Sequence, residues 1–193
     1  MNMNGESRII APREAVYAAL NDVEVLQRAI PGCESIEKLS DTEMTATVVA
    51  RAGPVRAKFN GRVTFSDLDP PESYTIAGEG KGGAAGFAKG SARVVLEPDG
   101  EATILRYTVK ADVGGKLAQV GARLIDGTAK KMADDFFTRF GEELANGGDL
   151  PATSSGAPAA AAKPESPGWP RHLGWWTLGG AIALIALYLL LGR

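Results

Sequence analysis

The chain has 193 residues, with 21 basic and 23 acidic side chains, a formal net charge of −2 and a pI near 5.5. A nucleic-acid-binding domain concentrates positive charge on one face, and this balance provides no such excess. The single cysteine, Cys33, excludes an intrachain disulfide and indicates a reducing compartment. The single histidine, His172, lies outside the segment that we expect to fold, so we predict neither a His-based nucleophile relay nor a Cys/His metal cluster.

The first 33 residues predict one strand and two short helices. The N-terminus lacks the basic region and apolar run of a signal peptide, so we expect the globular part to begin in the cytosol. A short strand is predicted at 7–10, and a helix follows from Pro12. A second helix is capped by Asp22 and ends at Pro31-Gly32. Cys33 is interpreted as a small packed residue and not as a reactive thiol, because no base lies near it.

Residues 34–113 alternate between apolar and polar side chains, which is the period of β-strands. The clearest strand is 55–65, where Val55, Phe59 and Val63 alternate with charged residues. Turn-forming residues at 53–54, 69–71 and 98–100 separate the strands. Such short connections favour antiparallel neighbours, with one face apolar and the other wet. We therefore predict about six antiparallel strands.

A glycine-rich segment, 78–90, formally contains G-x-G-x-x-G at Gly78, Gly80 and Gly83. A dinucleotide site requires this motif between a strand and a helix. Here one strand pattern precedes the segment and another follows it. We therefore interpret it as a hairpin that bends closely over the mouth of the fold and carries Phe87 at its tip.

The stretch 114–144 predicts one long helix, since it contains no proline and is bounded by glycine pairs. Leu117, Val120, Leu124 and Thr128 share one face, and the apolar stripe then rotates around the helix. A rotating stripe suits a twisted sheet as partner, although packing in a helical bundle is the alternative. The predicted fold class is α+β: a curved antiparallel sheet that wraps around the long helix and forms a cup over residues 1–146.

The remaining residues predict a linker and a membrane anchor. Residues 147–170 are rich in Ala, Gly, Pro and Ser, lack periodicity and predict a flexible linker. Within 171–193, an apolar run of about 19 residues could span a bilayer core of roughly 30 Å. Trp175, Trp176 and Tyr188 occupy the expected interfacial positions. We expect a tail anchor at the cytoplasmic membrane, with the domain in the cytoplasm.

Five segments carry a family resemblance: APREAVYAAL (11–20), IPGCESIE (30–37), GPVRAKFNGRV (53–63), DPPESYTIAGEGKGGAAGFAKGSA (69–92) and GGKLAQVGARLIDGTAKKMADDFF (114–137). They resemble the CoxG subunit of aerobic carbon monoxide dehydrogenase, of the START-like helix-grip (SRPBCC) superfamily. The resemblance implies a sheet that grips the C-terminal helix around an apolar cavity. It also implies an accessory role beside a molybdenum-containing CO dehydrogenase, or a related hydroxylase, at the cytoplasmic membrane.

These expectations combine into one hypothesis: a membrane-tethered, non-enzymatic cup that binds a respiratory quinone, menaquinone or ubiquinone, with no covalently bound cofactor. Its partners would be the hydroxylase, membrane lipid and the quinone pool. Tyr74, Tyr107 and Thr128 are candidates for contact with a quinone carbonyl. The predicted cavity lining consists of Phe59, Phe65, Tyr74, Phe87, Leu105, Tyr107, Leu117, Val120, Leu124 and Thr128.

Two alternatives stay open at this point. The protein could recruit the dehydrogenase to the membrane without any ligand, around a collapsed cavity. It could also catalyse a reaction, as a START-like cyclase would. Catalysis would require an acid–base pair inside the cup, and no ionisable residue falls on the apolar positions of the strands.

Overall fold

The computed structural model describes residues 2–146, which form a seven-stranded antiparallel sheet around a long helix. The strand order is β1-β7-β6-β5-β4-β3-β2. The elements are β1 (Asn2–Ile9), α1 (Arg13–Ala19), α2 (Val23–Ala29), β2 (Cys33–Ser40), β3 (Glu43–Ala52), β4 (Val55–Asp69), β5 (Ser73–Lys81), β6 (Phe87–Asp99), β7 (Ala102–Gly114) and α3 (Ala122–Asn146). Short 3₁₀ turns occur at Gly83–Ala85 and Ala118–Val120.

The predicted helix-grip architecture is confirmed for this part of the chain. The alternation of apolar and polar residues in the sequence corresponds to an alternation of buried and more exposed side chains. In β3, every second residue from Met44 to Ala52 is buried. Between β1 and β2, the Asp22 side chain caps α2 by accepting hydrogen bonds from the backbone N–H groups of Glu24 at 2.8 Å and Val25 at 3.2 Å. Strand β1 is longer than the predicted 7–10 and pairs with β7 along its whole length.

The predicted linker, 147–170, and the predicted anchor, 171–193, lie outside the described residues. Among residues 2–146, no helix is long and apolar enough to cross a membrane.

Helix α3 begins eight residues later than the predicted helix, and this changes the face it presents to the core. Gly121 has a φ of +100°, so it separates the 3₁₀ turn at Ala118–Val120 from α3. A helical projection that starts at Leu117 is therefore out of phase with the real helix. Leu124, predicted to face inward, is 46 % exposed, and its neighbour Ile125 is buried instead. The buried residues of α3 are Ile125, Ala129, Met132, Ala133, Phe136, Phe137 and Phe140.

Small residues occupy the centre of the sheet's inner face. Gly61 of β4 pairs with Gly80 of β5, which pairs with Ala88 of β6. In the next inward-facing row, Gly78 pairs with Gly90 of β6, and Gly90 pairs with Ala111 of β7. Because these residues lack bulky side chains, the inner surface here lies closer to the sheet backbone than at the two ends of the strands, where the side chains are larger.

The glycine-rich segment forms the β5–β6 hairpin, as predicted, and no helix of nucleotide-binding type follows it. Gly86 has a φ of +112°, and a Cβ at this position would collide with the carbonyl oxygen of Gly114. The backbone N–H of Leu117 donates to the Ala85 carbonyl at 2.9 Å. Glycine is therefore needed here so that the hairpin can lie against the loop between β7 and α3.

Candidate ligand site and its mouth

An aromatic cluster lies at the closed end of the fold, below helix α1. The Tyr74 ring of β5 makes edge-to-face contacts with Tyr17 of α1, at a centroid distance of 5.8 Å, and with Phe65 of β4, at 6.3 Å. All three side chains are buried. Edge-to-face geometry is a favourable arrangement for aromatic rings. The cluster therefore forms a rigid apolar floor.

The floor contains the hydroxyls of two tyrosines, Tyr74 and Tyr17. The Tyr17 hydroxyl is the one relevant to ligand binding. It is buried and has no hydrogen-bond partner among the described residues. Burial, and to a lesser extent the negative charge of Asp69, raises the pKa of Tyr17 above its ordinary value. Tyr17 therefore stays protonated at neutral pH and offers one donor without a partner. A buried hydroxyl without a partner is costly, and such a group in a native fold calls for an explanation such as a ligand.

The three polar residues predicted to contact a carbonyl all have other contacts. Tyr74 packs against Tyr17 and Phe65. The Thr128 hydroxyl donates to the backbone carbonyl of Leu124 at 2.8 Å, so its hydrogen stays on the helix. The Tyr107 ring stacks on Phe137 at 5.6 Å, and its hydroxyl lies so close to Gly5 that a Cβ there would collide with it. Tyr107 is therefore packed between β1 and α3.

The open end of the fold is formed by three loops, which we call the mouth: Arg51–Arg56, Lys81–Phe87 and Gly114–Leu124. The β3–β4 turn touches the start of α3, since a Cβ on Gly53 would lie 2.7 Å from Leu124 Cδ2 and 3.6 Å from Val120 Cγ1. The Phe87 ring, which is 45 % exposed, lies over Gly114, where a Cβ would collide with it. The mouth therefore presents Phe87 and Leu124 to solvent.

The floor and the mouth lie at opposite ends of β5. Lys81 lies seven positions after Tyr74, which corresponds to roughly 23 Å of strand. The inner-facing glycines and alanines lie within this distance. An elongated apolar molecule is the ligand shape that would match this distance.

The interior is closely packed in the form described. Six of the ten predicted lining residues are 0–8 % exposed: Phe59, Phe65, Tyr74, Leu105, Tyr107 and Leu117. Phe87 and Leu124 are exposed at the mouth, and Val120 and Thr128 are half-buried. Phe87 has the outward parity of β6, because its neighbour Ala88 is the buried one. The structure thus brings six predicted residues into the interior and places Phe87 and Leu124 at its rim.

Sequence reasoning missed Tyr17, Ile125 and Ala129. Tyr17 lies three residues before Leu20, which is also buried, so the helical period could have indicated its burial. Ile125 and Ala129 were missed because the projection of the long helix started too early.

Two grooves in the described part of the chain lie on the outer face of the sheet and differ in character from the interior. The larger, of about 690 Å³, is lined by polar and charged residues of five strands, among them Arg62, Glu79, Lys89 and Asp112. The smaller, of about 400 Å³, lies beside it, over β2 to β5. Their charged linings do not suit a lipophilic ligand.

Cys33 is half-buried, and burial raises the pKa of its thiol to about 11. At neutral pH the thiol is protonated and a poor nucleophile. This agrees with its interpretation as a small packed residue. Within residues 2–146, no group of three or more His, Cys, Asp or Glu side chains could hold a metal ion.

Several proteins of known structure are similar to this chain. A conserved protein from Geobacillus kaustophilus is 33 % identical, matches 76 % of this chain and 96 % of its own, and superposes with a TM-score of 0.71. A START superfamily protein from Mycobacterium smegmatis, 12 % identical over 75 % of this chain and 97 % of its own, has a TM-score of 0.59. The Zhui aromatase/cyclase from Streptomyces sp. R1128, 14 % identical over 81 % and 99 %, has a TM-score of 0.58.

The last two structures, at such low identity, show the fold alone. Comparison with curated proteins gives no significant match. The family model for the CoxG subunit of carbon monoxide dehydrogenase matches residues 5–145. That family is an accessory subunit of the dehydrogenase and not itself an enzyme. With this match over most of its length, the chain belongs to the CoxG family of carbon monoxide dehydrogenase subunits.

Proposed function

We propose that this protein is a membrane-anchored accessory of a molybdenum-containing hydroxylase of the CO dehydrogenase type, and that it binds a respiratory quinone between its sheet and α3. The observation that carries the proposal is the unpartnered Tyr17 hydroxyl on an apolar floor. A quinone carbonyl accepts hydrogen bonds and would satisfy this donor. The isoprenoid chain would extend toward the mouth along the small residues of the sheet.

Helix α3 is held by fewer buried side chains in its first half than in its second half. Its first ten residues bury only Ile125 and Ala129, whereas its second half buries five side chains, including Phe136 and Phe140. Arg28 of α2 holds that second half by donating to Glu143 at 2.5 Å. Segments with few buried contacts open at the lowest free-energy cost. The N-terminal half of α3 would therefore move outward to admit a ligand from the mouth.

Exchange with a membrane is energetically feasible. Burying roughly 400 Å² of apolar ligand surface stabilises the complex by about 10 kcal/mol relative to water. Relative to a bilayer, which is equally apolar, the net transfer term is near zero. A quinone can therefore pass between lipid and protein without a large barrier from desolvation.

The predicted linker and anchor would hold the domain near its cargo. The family name implies association with carbon monoxide dehydrogenase, whose electrons must reach the respiratory chain. Tethering raises the effective concentration of the domain at the membrane, where the quinone pool resides. A flexible coil with the length and composition of 147–170 would average roughly 27 Å end to end.

Recruitment of the dehydrogenase without a ligand is the second candidate function. The close packing of Phe59, Leu105 and Leu117 favours it, because a filled interior needs no ligand for its stability.

Organic extraction of the purified protein followed by mass spectrometry separates the two functions. The full chain, purified in detergent from a quinone-producing host, and residues 1–146 should both carry an isoprenoid quinone near one per chain. Ala129→Trp, which enlarges a buried side chain on the first half of α3, should lose it while remaining folded by circular dichroism. Matched Lys130→Trp, on the exposed side of the helix, should retain it. Absence of quinone from the wild-type protein after reconstitution with menaquinone and with ubiquinone would leave recruitment as the function.

Deletion of 171–193 tests the anchor. The shortened protein should leave the membrane fraction and still bind quinone, whereas substrate-dependent oxygen uptake by membranes should fall. Shortening 147–170 to a few residues should also reduce uptake. Asn146 lies about 36 Å from the start of α3, so a short tether could not bring the mouth to the bilayer. Full uptake by the anchor-less form at native expression would contradict a tethered carrier.

A further inference from the structure

The two ends of the sheet carry opposite charge, although the chain as a whole is nearly neutral. The three segments of the mouth contain five basic residues and no acidic one: Arg51, Arg56, Lys81, Lys116 and Arg123. The turns at the other end, at 40–43, 67–73 and 97–102, contain eight acidic residues and no basic one: Asp41, Glu43, Asp67, Asp69, Glu72, Glu97, Asp99 and Glu101. The molecule is therefore strongly polarised along its strands.

Ion pairing leaves this asymmetry in place. Among the described residues, four of the five basic residues at the mouth form no ion pair, and Lys81 pairs with Glu79 at 3.6 Å. Five of the eight acidic residues pair with Lys or Arg, which leaves Asp67, Asp69 and Glu101 without such a partner in residues 2–146. The balance of unpaired charges is positive at the mouth and negative at the far turns.

The positive charges surround exposed apolar side chains. Phe87 and Leu124 are each about half exposed, and Val120 and Leu124 both lie close to Gly53, which precedes Pro54 in the chain. Basic residues around an aromatic and aliphatic tip are the composition of a surface that binds anionic membranes, since the cations meet lipid headgroups while the apolar tip enters the interface.

We infer that the mouth docks directly on an anionic lipid bilayer and orients the domain with its opening against the headgroups. The acidic turns lie about 40 Å away, the length of the 13-residue strand β6. Several Debye lengths separate the two ends at physiological salt, so the membrane attracts the mouth without repelling the acidic end. This inference deepens the proposed function, because a docked mouth would receive a lipophilic ligand without exposing it to water.

Vesicles that contain no quinone test the docking independently of any ligand. Residues 1–146 suffice for this experiment. The Geobacillus protein was crystallised, and the match covers 96 % of its chain, so that protein consists almost wholly of this domain. Binding to phosphatidylcholine vesicles with about 30 % phosphatidylglycerol should exceed binding to pure phosphatidylcholine and should weaken as NaCl rises from about 0.05 to about 0.5 M.

Two triple variants distinguish the effect of the position of the basic residues from the effect of the net charge of the domain. The mouth variant, Arg51→Gln with Arg56→Gln and Lys116→Gln, should lose about 100-fold in affinity, at about fivefold per basic residue. The control, Lys110→Gln with Lys130→Gln and Arg139→Gln, removes the same charge from exposed positions outside the mouth and should stay within about threefold of wild type. Phe87→Ser should reduce binding about fivefold with little change in salt dependence.

A solvatochromic label reports orientation. In a Cys33→Ser background, a label at Pro54→Cys should shift to the blue on vesicle binding, and a label at Glu101→Cys should not. Vesicle binding by the mouth variant equal to that of the wild type, or a blue shift of the label at position 101, would overturn the inference. The wild type could fail to bind vesicles and yet bind a purified partner hydroxylase, with the mouth variant losing that binding. This result would show that the mouth docks on an acidic protein surface instead. Vesicle binding without any extractable quinone would support docking and remove the carrier function.

Discussion

Tyr17→Phe should stabilise the unliganded domain while weakening quinone binding. The change deletes one oxygen atom and keeps the ring against Tyr74, at 5.8 Å. The hydroxyl is buried without a partner, and such a group costs about 1–3 kcal/mol. Removing it should raise the free energy of unfolding by about 1–2 kcal/mol, which corresponds to about 3–7 °C in Tm for a domain of this size.

Two further measurements separate the hydroxyl from the ring. Tyr17→Leu also removes the ring contact and leaves a cavity, so it should be less stable than Tyr17→Phe by about 2–4 kcal/mol. Because burial raises the pKa of Tyr17 above its ordinary 10.0 in the folded state, titration of this group leaves the stability of the wild type unchanged below pH 10 and lowers it as pH rises from 10 through the folded value. Tyr17→Phe should therefore lose less stability than the wild type above pH 10.

Ligand affinity provides the decisive comparison. A hydrogen bond to a quinone carbonyl contributes about 0.5–1.5 kcal/mol, so Tyr17→Phe should bind a quinone analogue about threefold to tenfold more weakly. Differential scanning fluorimetry and titration of the same samples measure both effects. Destabilisation of unliganded Tyr17→Phe by more than about 0.5 kcal/mol would show that the hydroxyl is already hydrogen-bonded and would refute the reasoning.

Three other outcomes follow from the packing. Phe136→Ala should destabilise the domain by about 3–5 kcal/mol in denaturant unfolding, because this ring is fully buried; a loss below about 1 kcal/mol would contradict its place in the core. In hydrogen exchange, amides of 122–131 should exchange faster than those of 132–142, since only Ile125 and Ala129 anchor the first half of α3; uniform protection would contradict an opening first half. Alkylation of Cys33 by iodoacetamide should accelerate about tenfold per pH unit up to about pH 11; a plateau near pH 8.5 would mean that burial does not raise its pKa.

The sequence by itself determined the fold class and most of the element order. Alternation of period two in 34–113, turn residues between the runs and a proline-free amphipathic stretch after Gly115 each depend on neighbours within a few positions. Local steric and hydrophobic preferences are enough for such features. Asp22 is an example: its place before an apolar-periodic segment predicted the cap that the structure shows.

The tertiary structure alone decided which side chains meet. Gly121 breaks the helical phase through its positive φ, shortly after the chain at Gly114 has met the hairpin at Gly86, a contact between segments about 30 residues apart. That break in phase buries Ile125 and exposes Leu124. The pairing of Tyr17 with Tyr74, and the collection of basic residues from three loops into one mouth, likewise depend on strand register and sheet curvature. These are long-range properties, set by the packing of the whole sheet around α3, and no local pattern encodes them.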